Sequence, residues 1–312
     1  MKKLLPLFIG LMLAGIATKA QDPFFIQTYA NPLYLNPAFA GTDTVQRIGA
    51  NFRDEWPAIP GEFITYSISY DRNIIDSNLS IGILAYQDKA GQAVLTTTKA
   101  TLVIGYQVHI KSFTLSAAVQ GGSSQLNIDE SKLNFGNMID PRKGFIYNTG
   151  EVLTRNNVLV PDFSAGILGY GKYYFAGFSI DHFNQPNESF VAGTSPLPIK
   201  LTINAGGMIP LGKLILSPTL LYTQQQNFNQ LVAELYLISK YVTTGLGFRN
   251  GDALLFDLGC QYKRVRFGFS YDLTISQLTL ATGGSYEVSL ALVLPYKSTK
   301  YKKTKGISYP HF

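Results

Sequence analysis

An alternation of apolar with small or polar residues constrains this chain more than any other feature, and it recurs from about residue 46 to residue 294. It is clearest over residues 99–108, 265–272 and 285–294. A period of two is typical of β-strands whose two faces meet different surroundings. Beyond the first twenty residues, no stretch offers the ~20 unbroken apolar residues that a membrane helix needs. The chain is therefore predicted to be all-β.

About fourteen antiparallel strands are predicted, most of them near the ~9–11 residues with which a tilted strand crosses a bilayer. Connections after even-numbered strands are short, and the others are mostly longer, with a tight connection at Gly251 as the exception. Bacterial barrels have short periplasmic turns and longer outer loops, so this pattern places both termini in the periplasm. The predicted strands span residues 46–54, 63–71, 78–87, 95–108, 112–122, 161–170, 173–182, 199–208, 213–222, 229–238, 241–250, 252–262, 264–273 and 284–294.

Alternation alone fits a soluble sandwich as well as a membrane barrel, since the two differ in which face is turned outward. Composition favours a transmembrane outer-membrane β-barrel, because 15% of the residues are charged against ~25% in a typical soluble domain. Tyrosines near the predicted strand ends favour an interfacial girdle. They are Tyr70, Tyr86, Tyr106, Tyr170, Tyr173, Tyr222, Tyr241, Tyr262, Tyr271 and Tyr286.

The first residues have the pattern of an export signal. Lys2 and Lys3 precede an apolar run, and Thr18 and Ala20 fit the −3 and −1 positions of a cleavage site. The predicted organisation is a signal peptide at 1–20, an Asn-Pro segment at 21–45, the barrel at 46–294 and a basic periplasmic tail at 295–312. The tail lysines lack the aromatic platform of a nucleic-acid site, so a solvated tail near anionic head groups is predicted instead.

Motifs that carry chemistry are scarce. His109 in a predicted turn, His182 at a strand end and His311 in the tail have no second ligand at metal spacing, so we predict no metal site. Neither a G-x-S-x-G elbow nor a Walker A loop occurs, and no cofactor or catalytic residue is predicted. A Ser–His pair at the outer rim, using His182, is the enzymatic alternative. The single cysteine, Cys260, is expected to be a small apolar wall residue.

Several charged residues fall on the face predicted to line the lumen. Burying a lone charge is costly, so these residues are expected to pair with each other or to meet water. Asp257 and Arg266, on adjacent strands, are candidates for such a pair. A polar network filling a closed barrel is favoured over the lining of an open conduit. The residues are Arg47, Arg53, Lys99, Lys200, Asp257, Arg266, Asp272 and Glu287.

The segment before the first strand has the most specific pattern, and its residues 21–42 read QDPFFIQTYANPLYLNPAFAGT. Two Asn-Pro pairs, Asn31-Pro32 and Asn36-Pro37, lie five residues apart. Proline fixes φ and disfavours helix at the residue before it, and Asn-Pro favours the start of a turn. The segment is therefore predicted to be bent and ordered, and to lie in the periplasm or inside the barrel.

This segment resembles the N-terminal hallmark of the PorP/SprF family, outer-membrane components of the type IX secretion system. The closing residues 309–312, YPHF, are similar to the family's usual aromatic ending, but Tyr309 stands where the family often has a cysteine before the terminal proline. The matching residues are Gln21, Asp22, Pro23, Gln27, Asn31, Pro32, Asn36, Pro37, Ala38, Ala40 and Gly41.

The resemblance implies a non-enzymatic barrel that partners periplasmic and outer-membrane secretion subunits. It also implies contact with the C-terminal domain of a secreted cargo or with a surface adhesin, as in gliding bacteria. A passive channel for small solutes is the alternative. The Asn-Pro segment is a predicted docking surface with Leu33, Tyr34 and Phe39 as apolar anchors, and the other interpretation is a cap that closes the lumen. The predicted site comprises Asn31, Pro32, Leu33, Tyr34, Asn36, Pro37, Phe39 and Gly41.

Overall fold

Fourteen antiparallel strands form one closed barrel, as predicted. The computed structural model describes residues 22–43, 45–74, 77–133, 138–140, 142, 144–145, 153–276 and 282–295. The predicted signal peptide and nearly all of the predicted basic tail lie outside the described residues. Among the residues described, no helix is long and apolar enough to cross a membrane.

The strands follow one another around the barrel in chain order. The eighth strand, β8, has a short continuation at Ile209–Leu211. Between the two parts, the N–H of Met208 donates to the carbonyl of Tyr173 at 2.8 Å. The strands are β1 Val45–Glu55, β2 Phe63–Asn73, β3 Leu79–Ala90, β4 Leu95–Ile110, β5 Phe113–Ile128, β6 Asn157–Tyr170, β7 Tyr174–Asp181, β8 Lys200–Gly207, β9 Leu214–Gln225, β10 Phe228–Ile238, β11 Val242–Arg249, β12 Ala253–Tyr262, β13 Val265–Thr274 and β14 Ser285–Pro295.

The barrel closes where β1 pairs with β14, in register from Val45 opposite Pro295 to Glu55 opposite Ser285. The start of β1 and the end of β14 therefore lie at one rim, together with the turns that follow the even-numbered strands. We call this rim the turn end and the opposite rim the loop end. Connections 129–156 and 182–199 at the loop end are the longest.

Two further loop-end connections are shorter than predicted. Strands β3 and β9 extend to Ala90 and Gln225, which leaves four residues at 91–94 and two at 226–227. The polar residues at these strand ends, 87–89 and 223–225, keep pairing beyond the apolar band, so hydropathy alone placed the ends too early. For the same reason, His109 lies within β4 and not in the predicted turn.

The two faces of the wall have the predicted polarity. On the outer face, Ile104 is 59% exposed and Phe267 is 42% exposed. On the inner face of the same strands, Thr101 is 3% exposed and Ser270 is fully buried. Apolar side chains thus form the lipid-facing surface, and the polar ones are enclosed.

Cys260 lies on the outer face, exposed like its neighbours Leu254, Phe256 and Leu258. Six of the ten tyrosines proposed for the girdle also lie on the outer face of their strands, and Tyr173 and Tyr241 lie exposed in the turns before β7 and β11. Tyr86 and Tyr170 are the exceptions and are buried in the lumen. Their sequence numbers have the same parity as the inward residues of β3 and β6, and this parity decides their direction.

Candidate functional site: the plug in the lumen

Residues 22–43, which we call the plug, occupy the lumen. At one end of the plug, Asp22 contacts Lys200 and Gln225 at the loop end of the barrel. At its other end, Gly41 binds Asp71 near the turn end. The plug therefore runs the length of the lumen from the loop end to the turn end, and β1 then runs back in the opposite direction.

Each Asn-Pro pair starts a short helical turn within the plug. The first is a single α-helical turn, α1, at Pro32–Leu35, and the second is a 3₁₀ turn at Pro37–Phe39. Proline fits the first position of a helical turn, because its fixed φ is suitable and its missing N–H has no partner to lose there. The side-chain oxygen of Asn36 accepts the Ala38 N–H at 2.9 Å and caps the second turn. The predicted bent and ordered segment is thus present.

Asn36 is seated in a recess of the wall. It is completely buried, and its side-chain amide donates to the carbonyl of Ile167 at 3.2 Å. Gly166 and Gly177 provide the space. A β-carbon on Gly166 would lie 2.0 Å from Asn36 Oδ1, and one on Gly177 would lie 2.9 Å from Asn36 Nδ2. Both distances are far below van der Waals contact, so the recess exists only because these wall residues are glycines.

The first Asn-Pro pair is held by another part of the wall, at β2 and β3. The side-chain amide of Asn31 donates to the hydroxyl of Ser67 at 2.9 Å. Leu33 is 1% exposed and packs against Gly82 of the wall. A β-carbon on Gly82 would lie 3.0 Å from Leu33 Cδ1. Asn31 and Asn36 therefore fix the two helical turns to different strands of the barrel.

Gly41 closes the plug at the turn end, where the chain reverses into β1. Its N–H donates to Asp71 Oδ2 at 2.9 Å, while Asp71 Oδ1 receives a two-pronged pair from Arg47 at 3.0 and 2.8 Å. Gly41 has a φ of +63°, and a β-carbon there would lie 2.7 Å from the β-carbon of Ser80. No other residue fits this position without displacing the wall. The Gln107 amide also donates to the Gly41 carbonyl at 3.0 Å.

The middle of the plug is bound to β14. Glu287, which is fully buried, accepts the backbone N–H groups of Ile26 at 2.5 Å and Gln27 at 3.2 Å. The Gln27 side chain donates in turn to the Glu287 carbonyl at 3.2 Å, and Ser289 donates to Gln27 Oε1. The side-chain oxygens of Glu287 thus satisfy backbone groups that would otherwise be buried without partners.

The side chains predicted to anchor a docking partner contact the inner wall. Leu33 and Phe39 are each 1% exposed, and the ring of Phe39 packs edge-on against Phe175 at 5.8 Å. The ring of Tyr34 packs against Tyr86 at 5.5 Å, and its hydroxyl donates to the carbonyl of Pro23. Docking of a partner on the segment stays a prediction, and in this conformation the anchors are occupied.

The start of the plug is held by an ion cluster at the loop end. Asp22 accepts from Lys200 Nζ at 2.6 Å and from His182 Nε2 at 2.8 Å. The other nitrogen of His182 donates to Asp162 at 2.8 Å, and Lys99 pairs with the same carboxylate. Sequence reasoning missed Asp162 and the role of His182. Their shared inward direction near the loop end was the signal for this cluster.

The cluster fixes the charge of its members. Burial disfavours the charged imidazolium, but Asp22 and Asp162 outweigh that effect and raise the pKa of His182 to about 9. Against the effect of burial, His182 and Lys200 hold the pKa of Asp22 well below its usual range. The start of the plug is therefore fixed by full charges at neutral pH. Because both nitrogens of His182 face carboxylates, the Ser–His pair considered from the sequence is not formed in this structure.

Above the plug, a cavity of about 790 Å³ lies at the loop end. We call it the vestibule. The plug contributes part of its lining, and the rest comes from strand ends and loops of the wall. Its apolar lining includes Phe24, Trp56, Phe63, Leu126, Leu197 and Phe228. The vestibule thus offers an apolar, aromatic surface above an ionic site.

The charged residues assigned to the lumen are all on the inner face, but one predicted pair is wrong. Arg266 donates to Gln261 at 3.3 Å, and Asp257 accepts from Ser270. Asp257 lies directly opposite Ser270 in the register of β12 and β13, four residues along from Arg266. Ion pairs form elsewhere, including Arg249 with Asp272 at 2.5 Å. Within the described residues, no group of three or more His, Cys, Asp or Glu side chains could hold a metal ion.

Together, the lipid-facing apolar band and the occupied lumen define an outer-membrane barrel that contains a plug formed by its own N-terminal segment. The family model of the type IX secretion system membrane protein PorP/SprF matches residues 17–292. The chain therefore belongs to the PorP/SprF family, as the residues of the plug indicated.

Two outer-membrane channels are among the solved structures to which the chain is similar. A deletion mutant of the TodX monoaromatic hydrocarbon channel has a TM-score of 0.50 and 10% sequence identity, covering 85% of this chain and 94% of its own. The CymD monoaromatic hydrocarbon channel has a TM-score of 0.48 and 10% identity, with 86% and 93% covered. At this identity the likeness is one of fold. A comparison with curated proteins finds no match.

Proposed function

We propose that this chain is a non-catalytic outer-membrane component of the type IX secretion system that supports export or surface attachment of cargo proteins. The turn end faces the periplasm and meets secretion subunits, and the loop end faces outward. The vestibule and outer loops receive the C-terminal domain of a cargo protein or a surface adhesin, with a role in gliding where the cell glides. Membership of the PorP/SprF family supports this proposal.

The occupied lumen is the observation that carries the proposal. Asn36 fills a recess in which a side chain on Gly166 would not fit, and Gly41 lies where a β-carbon of its own would not fit. Both residues are hydrogen-bonded to the wall. A plug fixed in this way obstructs solute flow, so the barrel acts by binding at its ends. The alternative, a passive channel for small solutes, requires the plug to leave.

Two measurements test the proposal together. The purified barrel is expected to give little steady conductance in a planar bilayer, and cells lacking the protein are expected to lose a surface-displayed cargo. Complementation with the wild-type gene serves as the control. A large steady conductance without partners, combined with normal cargo display in the deletion strain, would replace the secretion role with the channel.

A triple variant, Asn31→Ala, Tyr34→Ala and Asn36→Ala, separates the two interpretations of the segment. If the segment only plugs the lumen, the variant should assemble less well or conduct more. If the segment docks a partner, the barrel should still migrate in the heat-modifiable folded form while cargo export fails. Normal export from a correctly inserted variant would exclude docking.

A further inference from the structure

The turn end carries a ring of positive charge. Five of its six turns contain an exposed lysine or arginine, and none of these five contains an acidic residue. The sixth turn, 74–78, contains Asp76. The loop end is different, because its connections carry acidic residues such as Glu62, Glu188 and Asp252, and Lys132 pairs there with Asp129 at 3.6 Å. The basic residues of the turn end are Lys111, Lys172, Lys213, Lys240, Lys263 and Arg264.

Three of these lysines are positioned at the level of the lipid-facing band. The ammonium group of Lys172 lies 4.4 Å from the ring centre of Tyr173, and that of Lys240 lies 4.8 Å from Tyr241. Lys263 lies 5.1 Å from the ring of Tyr262, which is 68% exposed on the outer face. Tyrosine rings lie at the level of lipid head groups in membrane barrels. The ammonium groups are therefore held where head-group phosphates lie.

Two of the lysines occupy backbone positions that suit other residues better. Lys111 has a φ of 53° and Lys263 a φ of 54°. Side chains with a β-carbon are strained in this left-handed region, which glycine, asparagine and aspartate adopt more easily. Strain of this kind persists where the residue is needed for something other than the turn itself. Glycine would relieve the strain at both positions but would carry no charge, so charge is the property that lysine adds there.

We propose that the turn end binds anionic phospholipids through this ring of basic residues. Each ammonium or guanidinium group pairs with a head-group phosphate of the adjoining leaflet. The charges lie on five successive hairpins around the rim, directly beside exposed apolar residues such as Ile110 and Leu211. That distribution matches an annulus of lipid, whereas a protein partner would be met by a cluster on one sector.

The test uses the full-length barrel in phosphatidylcholine vesicles containing spin-labelled phosphatidylglycerol or spin-labelled phosphatidylcholine. The fraction of motionally restricted label gives the relative association of each lipid with the protein. At low salt, we expect phosphatidylglycerol to be preferred by a factor on the order of five, the effect of about one lysine per lipid site. The preference should fall at high salt because the charges are screened.

The triple variant Lys172→Gln, Lys240→Gln and Lys263→Gln should lose most of this preference. Lys89→Gln with Lys132→Gln is the matched control, since Lys89 lies 5.6 Å from the ring of Tyr66 at the loop end. The control should keep the wild-type preference. Equal association of the two lipids with the wild-type barrel, or an unchanged preference in the triple variant, would overturn the proposal. Equal lipid association together with binding of an acidic periplasmic protein would assign the ring to that partner.

A double variant separates the effect of charge from that of folding. Lys111→Gly with Lys263→Gly removes two charges and also relieves the left-handed strain. We expect its melting temperature to equal or exceed that of the wild type, while the preference for phosphatidylglycerol decreases. A preference that survives in this stable variant would contradict the role given to the two strained lysines.

Discussion

The side chain of Asn36 occupies the space that a side chain on Gly166 would need, with 2.0 Å between Asn36 Oδ1 and the position of that missing β-carbon. Gly166→Ala should therefore displace the plug. We expect a loss of about 1–3 kcal/mol in the free energy of unfolding, as for other overpacked sites. Openings in single-channel recordings should also become more frequent. Gly207→Ala is the control, because its nearest neighbour would be 3.6 Å away. Equal behaviour of the two variants would show that the recess does not hold the plug.

Asp71 links the end of the plug to the wall, since it binds both Gly41 and Arg47 and is fully buried. Asp71→Ala should destabilise the barrel by about 3–5 kcal/mol, because the charge of Arg47 would remain buried without this carboxylate. The effect is measured in an unfolding titration in which heat-modifiable migration reports the folded fraction. The double variant Asp71→Ala and Arg47→Met should recover part of the loss. Failure to recover would indicate that the contact with Gly41 dominates.

The lipid-facing surface can be tested within β4. Ile104→Arg should cost about 2–4 kcal/mol of barrel stability, as arginine does near the middle of a bilayer. Thr101 and Ser270 are unsuitable inward controls, because both are buried against other residues of the wall. Thr97 lines the vestibule, so Thr97→Arg should be much milder. Equal damage from the two arginines in folding titrations would argue against a lipid-facing outer surface.

The orientation of the barrel can be tested by labelling from outside intact cells. Cys260 is first replaced by serine, since it is exposed on the outer face of the wall. A cysteine at Ser131, in the loop after β5, should react with a membrane-impermeant reagent, and one at Lys172 should not. Ser131 is chosen because residues 136–150 of the same loop lie largely outside the described residues. The reverse result would place the loop end in the periplasm.

The attachment of the start of the plug should depend on pH. The pKa of His182 is raised from 6.5 to about 9. The stability that His182 gives to this attachment is therefore fully present below pH 6.5 and is lost as the pH rises through 9. The loss is about 3 kcal/mol and comes from the contacts with Asp22 and Asp162. A cysteine replacing Phe24, which lines the vestibule, should label faster at pH 10 than at pH 7. Ionisation of the thiol itself also speeds labelling over this range, so only that smaller increase should remain in a His182→Asn background. An equal increase in the two backgrounds would contradict the role given to His182.

Much of the wall was predictable because lipid imposes a period of two on every strand. The correct face of Ile104 and the inward position of Glu287 both follow from that rule. The pair of Asp257 with Arg266 failed because it depends on register. The two-residue turn at 263–264 places Arg266 opposite Gln261 and Asp257 opposite Ser270, so the two charges lie on adjacent strands but four residues apart along them. The path of the plug could not be inferred, since it depends on wall glycines far away in sequence, such as Gly166.

The plug also has a consequence for the order of assembly. It is covalently joined to β1, and β1 completes the ring by pairing with β14, its most distant partner in sequence. Closing the longest loop of the chain is the entropically demanding step in such a topology. The ring of strands must therefore close around a plug that already lies inside it, or the plug must enter the lumen after the ring has closed. In either case, the wall and the plug must reach their final positions during one assembly process, because they are parts of one chain.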